Sequence, residues 1–365
     1  WITKLGVRNM AFNISTVTTQ AAATAVETFF LNDSKLLPFL WGAYGVGKSS
    51  IVKSIVASLT ETTGNEWGLL DLRASQLDAV DTRGVPEIID HETDFAVPRW
   101  LPNVERDGEF GVTFLDEVLL GMPSVQASLY QLLTDGRIGS YIHPKGWHIV
   151  GASNRPEDGA GVHGRVDAAL MTRFSPHYNV VPSVSEWTEW AYQNGVAHEV
   201  IAFIQFRGAP SSEAGGLLHE YLDGGVPKGS IAVATPRTWE FVSEIIKCGL
   251  PKKIEADSII GAVGMGAGSE FSSFLKVMRD IPSFAQILDD PDSVPVPSQI
   301  NTIYAVCAQL AAKCERSNIG NAIKWLAKYD DELIAVLFAL AIGRDPDFKE
   351  TQEYIQFKID NQLGE

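Results

Sequence analysis

Eight consecutive residues, Gly42-Ala43-Tyr44-Gly45-Val46-Gly47-Lys48-Ser49, carry the most specific chemical signal in the chain. An apolar run precedes them and a helical stretch, Ile51 to Leu59, follows, which is the setting a phosphate-binding loop requires. Glycines let backbone N–H groups close around phosphate oxygens at a helix N-terminus, where the peptide dipoles also favour negative charge. Gly42 opens this loop, and Gly45, Val46, Gly47 and Ser50 are expected to contribute backbone donors. Lys48 is expected to reach the β- and γ-phosphates of a nucleotide, and Ser49 to place its hydroxyl on Mg²⁺. Further along, Gly111-Val112-Thr113-Phe114-Leu115-Asp116-Glu117 reads as an apolar strand ending in two acids. That pattern places both carboxylates at the carboxyl edge of a sheet, where ligands bind. Their expected roles differ: Asp116 holds Mg²⁺ through its water shell, and Glu117 orients and deprotonates an attacking water as general base. Gly151-Ala152-Ser153-Asn154 ends the next strand and puts a neutral amide, Asn154, at the same edge, facing the γ-phosphate and the water.

These side chains need a sheet to hold them together. Residues 36 to 183 alternate short apolar runs with helical stretches, the pattern of an α/β unit with a mostly parallel sheet covered by helices on both faces. Five strands are expected: Leu37 to Trp41, Gly68 to Leu72, Val112 to Leu115, Trp147 to Ala152 and His177 to Val181. The residues before 36, including Ala21 to Phe30, read as a leading helix. From Val184 the strand signals fade into helical segments, broken at Gly208 to Gly216, at Gly224 to Gly229 and at the Pro- and Asp-rich Leu288 to Pro297. The expected organisation is a nucleotide-binding α/β domain over 1–183, a helical lid over 184–250 and a helical C-terminal extension over 251–365.

The order of motifs resembles that of AAA+ ATPases: phosphate loop, Asp-Glu strand, polar sensor strand, then Ala168-Ala169-Leu170-Met171-Thr172-Arg173-Phe174. The resemblance implies that Arg173 points into a neighbouring subunit's ATP, with Arg165 in Gly164-Arg165-Val166 a second candidate for that interface. A guanidinium suits the role because it stays charged and donates in a fork matched to phosphate oxygens. Thr235-Pro236-Arg237-Thr238-Trp239 is similar to the family's second sensor, with Thr235 capping and Pro236 starting a helix that carries Arg237 towards the γ-phosphate. Two inserts resemble those of the MoxR branch. Pro86 to Ile89 with Asp94 to Val97 reads as one hairpin around Asp90 to Thr93. Arg137 to Ile142, running through His143 to Gly146 into Trp147, gives a second hairpin signal. In related rings such hairpins approach the pore or the remodelled partner. The resemblance covers residues 15 to 245. It implies a P-loop core with a five-stranded parallel sheet, Mg²⁺-dependent hydrolysis of ATP to ADP and phosphate, and a homo-oligomeric ring, a hexamer. The ring would remodel or chaperone a protein partner, such as one with a von Willebrand factor A domain. Alternatives are a nucleic-acid motor or restriction-type NTPase, some of which use GTP, and a slow nucleotide-dependent scaffold.

Composition bounds these readings. At 365 residues with 45% hydrophobic content, the chain can bury more than one domain's core. A formal charge of −16 disfavours a phosphate backbone as main partner. Glu87, Asp90, Glu92 and Asp94 also make the first insert acidic, which argues against the motor reading. Cys248, Cys307 and Cys314 lack metal or redox spacing and read as reduced core residues of a cytoplasmic protein. The histidines show no metal-ligand pattern either. The aromatic segment Glu186 to Tyr192 reads as helix packing, its acids opposing base stacking. Leu333 to Ile342 is about half the roughly 20 residues of a membrane helix and reads as a buried core helix. No charged region followed by an apolar stretch opens the chain, so no signal peptide is expected, and position 1 is Trp rather than Met.

Overall fold

The computed structural model describes residues 14–158, 167–208, 216–221, 230–280, 284–297, 300–330 and 332–361. They fall into two units, one ending at Pro182 and one beginning at Ser183.

The strands of the first unit are β1 (Ser15–Thr18), β2 (Phe39–Trp41), β3 (Trp67–Arg73), β4 (Val85–Ile89), β5 (Glu92–Ala96), β6 (Phe110–Asp116), β7 (Arg137–Ile138), β8 (Tyr141–Ile142), β9 (Trp147–Ser153) and β10 (His177–Val181). Six of them form one sheet in the order β1-β10-β2-β9-β6-β3, with every neighbouring pair parallel. The sheet therefore has six strands rather than the expected five. The addition is β1, an edge strand of sequence Ser-Thr-Val-Thr whose side chains are exposed or half-buried. A strand that buries so little lacks the apolar run by which the other five are read.

Side chains alternate across the pleat, and the two faces have separate cores. Leu40, Val112, Phe114, Val150 and Ala152 face one cluster, completed by α1 (Thr19–Leu31) and α2 (Lys48–Thr63) through Val26, Phe30, Ile51, Val52, Ile55 and Leu59. Phe39, Trp41, Leu115 and Ile149 face the other. After the short α3 (Ala79–Arg83) and α4 (Val104–Asp107), that second face is covered by α5 (Pro123–Asp135) and α6 (Ala168–Met171), which contribute Leu129, Leu132, Leu170 and Met171.

Strands β4 and β5 form the first expected hairpin. Its turn is tighter than the Asp90 to Thr93 reading, because Asp90 and His91 both take positive φ, 50° and 69°, as a two-residue connection of this hand requires. The second hairpin, β7 with β8, reverses at Gly139 and Ser140 rather than through His143 to Gly146. Gly139, at φ 57°, supplies the left-handed turn residue.

The second unit is helical: α7 (Val184–Gln193), α8 (His198–Arg207), α9 (Pro236–Lys247), α10 (Lys252–Val263), α11 (Met265–Asp280), α12 (Phe284–Asp289), α13 (Ile300–Lys313), α14 (Ile319–Leu326), α15 (Glu332–Arg344) and α16 (Gln352–Asp360). One continuous core runs from Trp187 to Phe348. At its centre the fully buried Trp239 ring lies 5.5 Å from both Phe203 and Phe271, and its Nε1 donates to the Leu217 carbonyl at 2.7 Å. The apolar stretch from Leu333 is the core helix α15, with Leu333, Leu337, Phe338 and Ala341 buried. Cys307 and Cys314 are buried as expected, but Cys248 is exposed where α9 ends. Among the described residues no helix is long and apolar enough to cross a membrane.

Candidate active site

Strand register brings the expected groups to one edge. Trp41 pairs with Ser153, Leu115 with Gly151, and Arg73 with Asp116, so β2, β9, β6 and β3 end together. The phosphate loop leaves β2 at that edge, Asn154 follows β9, and Asp116 closes β6. Gly45 and Gly47 take φ of 75° and 99°, left-handed conformations that turn the loop into α2. Gly42 is required for another reason: a Cβ there would stand 2.9 Å from the Val180 carbonyl oxygen and 3.0 Å from Val46 Cγ2.

Lys48, the first residue of α2, is buried. Its Nζ donates to the carbonyls of Gly42 at 2.8 Å and Ala43 at 3.1 Å, and to Asn154 Oδ1 at 2.8 Å. Ser49 Oγ donates to Asp116 Oδ2 at 3.1 Å, while Asp116 Oδ1 accepts the Glu117 N–H at 2.8 Å. Burial pushes the Asp116 carboxyl above the usual carboxylate range. The Glu117 N–H, the Lys48 charge and the Ser49 hydroxyl pull it back, and the Glu117 charge raises it.

Glu117 sits in a left-handed conformation, φ 55° and ψ 34°, directly after β6. The chain leaves the strand there, so the two adjacent carboxylates escape the strict alternation of a strand. A non-glycine residue held at such angles costs of order 1–3 kcal/mol, and strain of this kind concentrates at functional sites.

The structure adds residues that the sequence did not single out. Ser75 lies in the turn after β3, and its Oγ donates to Glu117 Oε2. Its signal was weak, since a lone serine beyond a strand matches no spacing rule, and only the pairing of β3 with β6 brings it near. Arg155 and Asp158 form a buried pair, with Nη2 to Oδ1 at 2.7 Å and Arg155 N–H to Oδ2 at 2.9 Å. This pair closes the turn immediately after Asn154.

The remaining expected residues are three arginines. Arg173 follows α6 and is tied to its own unit: Nε donates to Thr134 Oγ1 at 2.9 Å, Nη1 to the Ala169 carbonyl at 2.6 Å, and the guanidinium covers the Tyr130 ring at 4.3 Å. Arg237 is exposed in the first turn of α9 in the helical unit, where Thr235 caps and Pro236 opens the helix as expected. Arg165 lies outside the described residues. His143 and His148 are packing residues: His143 Nε2 meets Thr113 Oγ1 at 3.0 Å, and His148 stacks on Phe30 at 4.6 Å.

The arrangement is suited to an anionic ligand at the loop and to a divalent cation beside it. Ser49 and Asp116 present the hard oxygen donors that Mg²⁺ takes together with phosphate oxygens and water.

No protein-family model matches the chain, and no curated protein matches it. Solved structures to which it is similar include a mutant of the RuvB protein of Thermotoga maritima, 16% identical, covering 80% of this chain and 80% of that chain at a TM-score of 0.40. NtrX from Brucella abortus in complex with ADP is 14% identical, covering 84% of this chain and 68% of that chain, also at 0.40. Similarity this loose assigns no activity, and the functional reading rests on the site itself.

Proposed function

We propose that the chain is an Mg²⁺-dependent ATPase of the AAA+ superfamily, hydrolysing ATP to ADP and phosphate. The observation that carries this reading is the convergence of Lys48, Ser49, Asp116 and Asn154 at one edge of a parallel sheet, behind a loop of phosphate-binding sequence. Lys48 exchanges its carbonyl and amide acceptors for β- and γ-phosphate oxygens, while the loop N–H groups of Gly45, Val46, Gly47 and Ser50 cradle the chain of phosphates. Bound Mg²⁺, held by Ser49 and Asp116, would neutralise charge on the phosphates. Glu117 takes the proton of the attacking water, Ser75 holds its carboxylate in place, and Asn154 orients the γ-phosphate and the water.

The finer reading is a MoxR-like ring that remodels a protein partner. In it Arg173, or Arg165, serves the neighbouring subunit's ATP, and Arg237 reports nucleotide state to a lid over 184–250, with 251–365 as an extension. The acidic β4–β5 hairpin favours a protein partner over nucleic acid, because Glu87 faces Asp94 across the strands and both repel phosphates. Lys48→Ala tests the site. It is expected to weaken ATP binding at least a hundredfold, since about 3 kcal/mol is the upper range for one charged hydrogen bond and Lys48 supplies more than one. Equal affinity for ATP in a fluorescent-nucleotide titration would overturn the assignment of the loop.

A further inference from the structure

Within the helical unit, α7, α8, α13 and α15 line a cavity of about 160 Å³, and none of its lining residues is among those assigned to the nucleotide chemistry. Its floor is built of alanines from α8 and α13, and its polar lining is Tyr192, His198, Lys313 and Arg344. In a chain of net charge −16, three of these side chains carry or can take positive charge, and among the described residues no carboxylate lines the cavity. Lys313 and Arg344 end α13 and α15, where cations complement the helix dipole. The dipoles do not require that both converge with His198, from the start of α8, on one cavity.

His198 is the telling group. Its Nδ1 lies 3.3 Å from Glu199 Oε2, while its Nε2 is buried and makes no hydrogen bond. A buried polar nitrogen without a partner is uncommon, because the desolvation it suffers is not repaid. Arg344 gives one N–H to the Cys314 carbonyl at 2.5 Å, and its guanidinium lies 5.2 Å from the Phe348 ring. That leaves most of its five donors for another acceptor.

We propose that this cavity binds a small anion bearing one carboxylate or phosphate group, held by Lys313 and Arg344 with His198 Nε2 as third donor. The volume is below the roughly 300 Å³ at which pockets for larger organic ligands begin, which excludes a nucleotide. Protonation of His198 guarantees an N–H donor at Nε2, which the neutral ring carries in only one of its two tautomers. Burial and the Lys313 charge hold the free ring below its usual range, against the pull of Glu199, and Tyr192 and Arg344 are the other titratable groups facing the cavity. An entering anion reverses that balance, so it takes up a proton with it and binds more tightly as pH falls.

The test is calorimetric titration of the whole chain, with Mg²⁺ and ADP at saturation to fill the phosphate loop, against inorganic phosphate and, separately, acetate, each up to roughly 50 mM, a range that captures millimolar sites. The expected result is one site for at least one of the two, and acetate, whose charge is the same at both pH values, binds several-fold tighter at about pH 6 than at about pH 8. Lys313→Met, at an exposed position, weakens it about tenfold or more, and Arg344→Met does the same. Lys324→Met, which removes a surface lysine paired with Asp292, leaves it unchanged. Absence of binding by both anions, binding that survives Lys313→Met, or equal acetate affinity at the two pH values would each overturn the proposal.

Discussion

In the proposed reading Asp116 serves chemistry at the expense of the fold. Burial pushes its carboxyl pKa up, so the protonated form contributes stability that is complete below the unfolded value of 3.8 and is lost as pH rises through the raised folded value. Asp116→Asn, neutral at every pH, keeps an acceptor for the Glu117 N–H and places an amide donor against Ser49. It should therefore raise unfolding free energy at neutral pH by ~0.5–2 kcal/mol while abolishing Mg²⁺-dependent turnover, the usual trade between stability and activity. Urea unfolding of both proteins at several pH values checks this, and the gain should shrink as pH falls into the carboxylate range. A variant less stable than the wild type at neutral pH would show that Asp116 supports the fold. At this scale the sequence was legible where residue type and spacing carry the chemistry. Lys48 is hydrogen-bonded to Asn154 and Ser49 to Asp116, residues whose order along the chain had placed them at one sheet edge. Ser75 and the Arg155–Asp158 pair were not legible, because their partners are set by strand pairing and by a turn rather than by distance along the chain.

Elements position these side chains, and most were readable because buried parallel strands are near-continuous apolar runs. The edge strand β1 escaped for lack of such a run. What sequence could not supply is how neighbouring elements accommodate each other. A Cβ on Gly111 would stand 2.7 Å from the Trp147 ring, and one on Gly68 would stand 2.8 Å from it, so two glycines on β6 and β3 make room for one indole on β9. His143 joins β6 to the segment between β8 and β9 through Thr113. Burial, the largest influence, and the nearby His148 hold its pKa down at about 4 against the usual 6.5. Below about pH 6.5 the unfolded chain takes up a proton that the folded ring refuses. Stability present above that value is therefore lost as pH falls toward 4, at up to about 1.4 kcal/mol per pH unit. His143→Gln, which retains a partner for Thr113, should make the fall in unfolding free energy over this window shallower by up to one proton's worth. An unchanged slope would place the titrating group elsewhere.

At the scale of the whole molecule, the proposed ring rests on Arg173. It is bonded to Thr134 and Ala169 and to none of Lys48, Ser49, Asp116 and Asn154, and in the proposed ring it serves a neighbour's nucleotide. Arg173→Ala should bind ATP normally and lose turnover by about 10³-fold or more. Mixed with Lys48→Ala under conditions of subunit exchange, it should regain activity, since an intact loop then meets an intact arginine in a head-to-tail assembly. Failure at every mixing ratio would move the role to Arg165. Hydrolysis itself, with Glu117 as the base, is the central claim, and it is tested most directly by measuring ATP binding and steady-state phosphate release side by side for the wild type and Glu117→Gln. The amide keeps the shape of the side chain and its contact with Ser75 but cannot accept the water's proton. The account predicts unchanged ATP affinity with phosphate release lowered about 10²- to 10⁴-fold. Release at the wild-type rate by Glu117→Gln, or no Mg²⁺-dependent release by the wild-type chain, would contradict it.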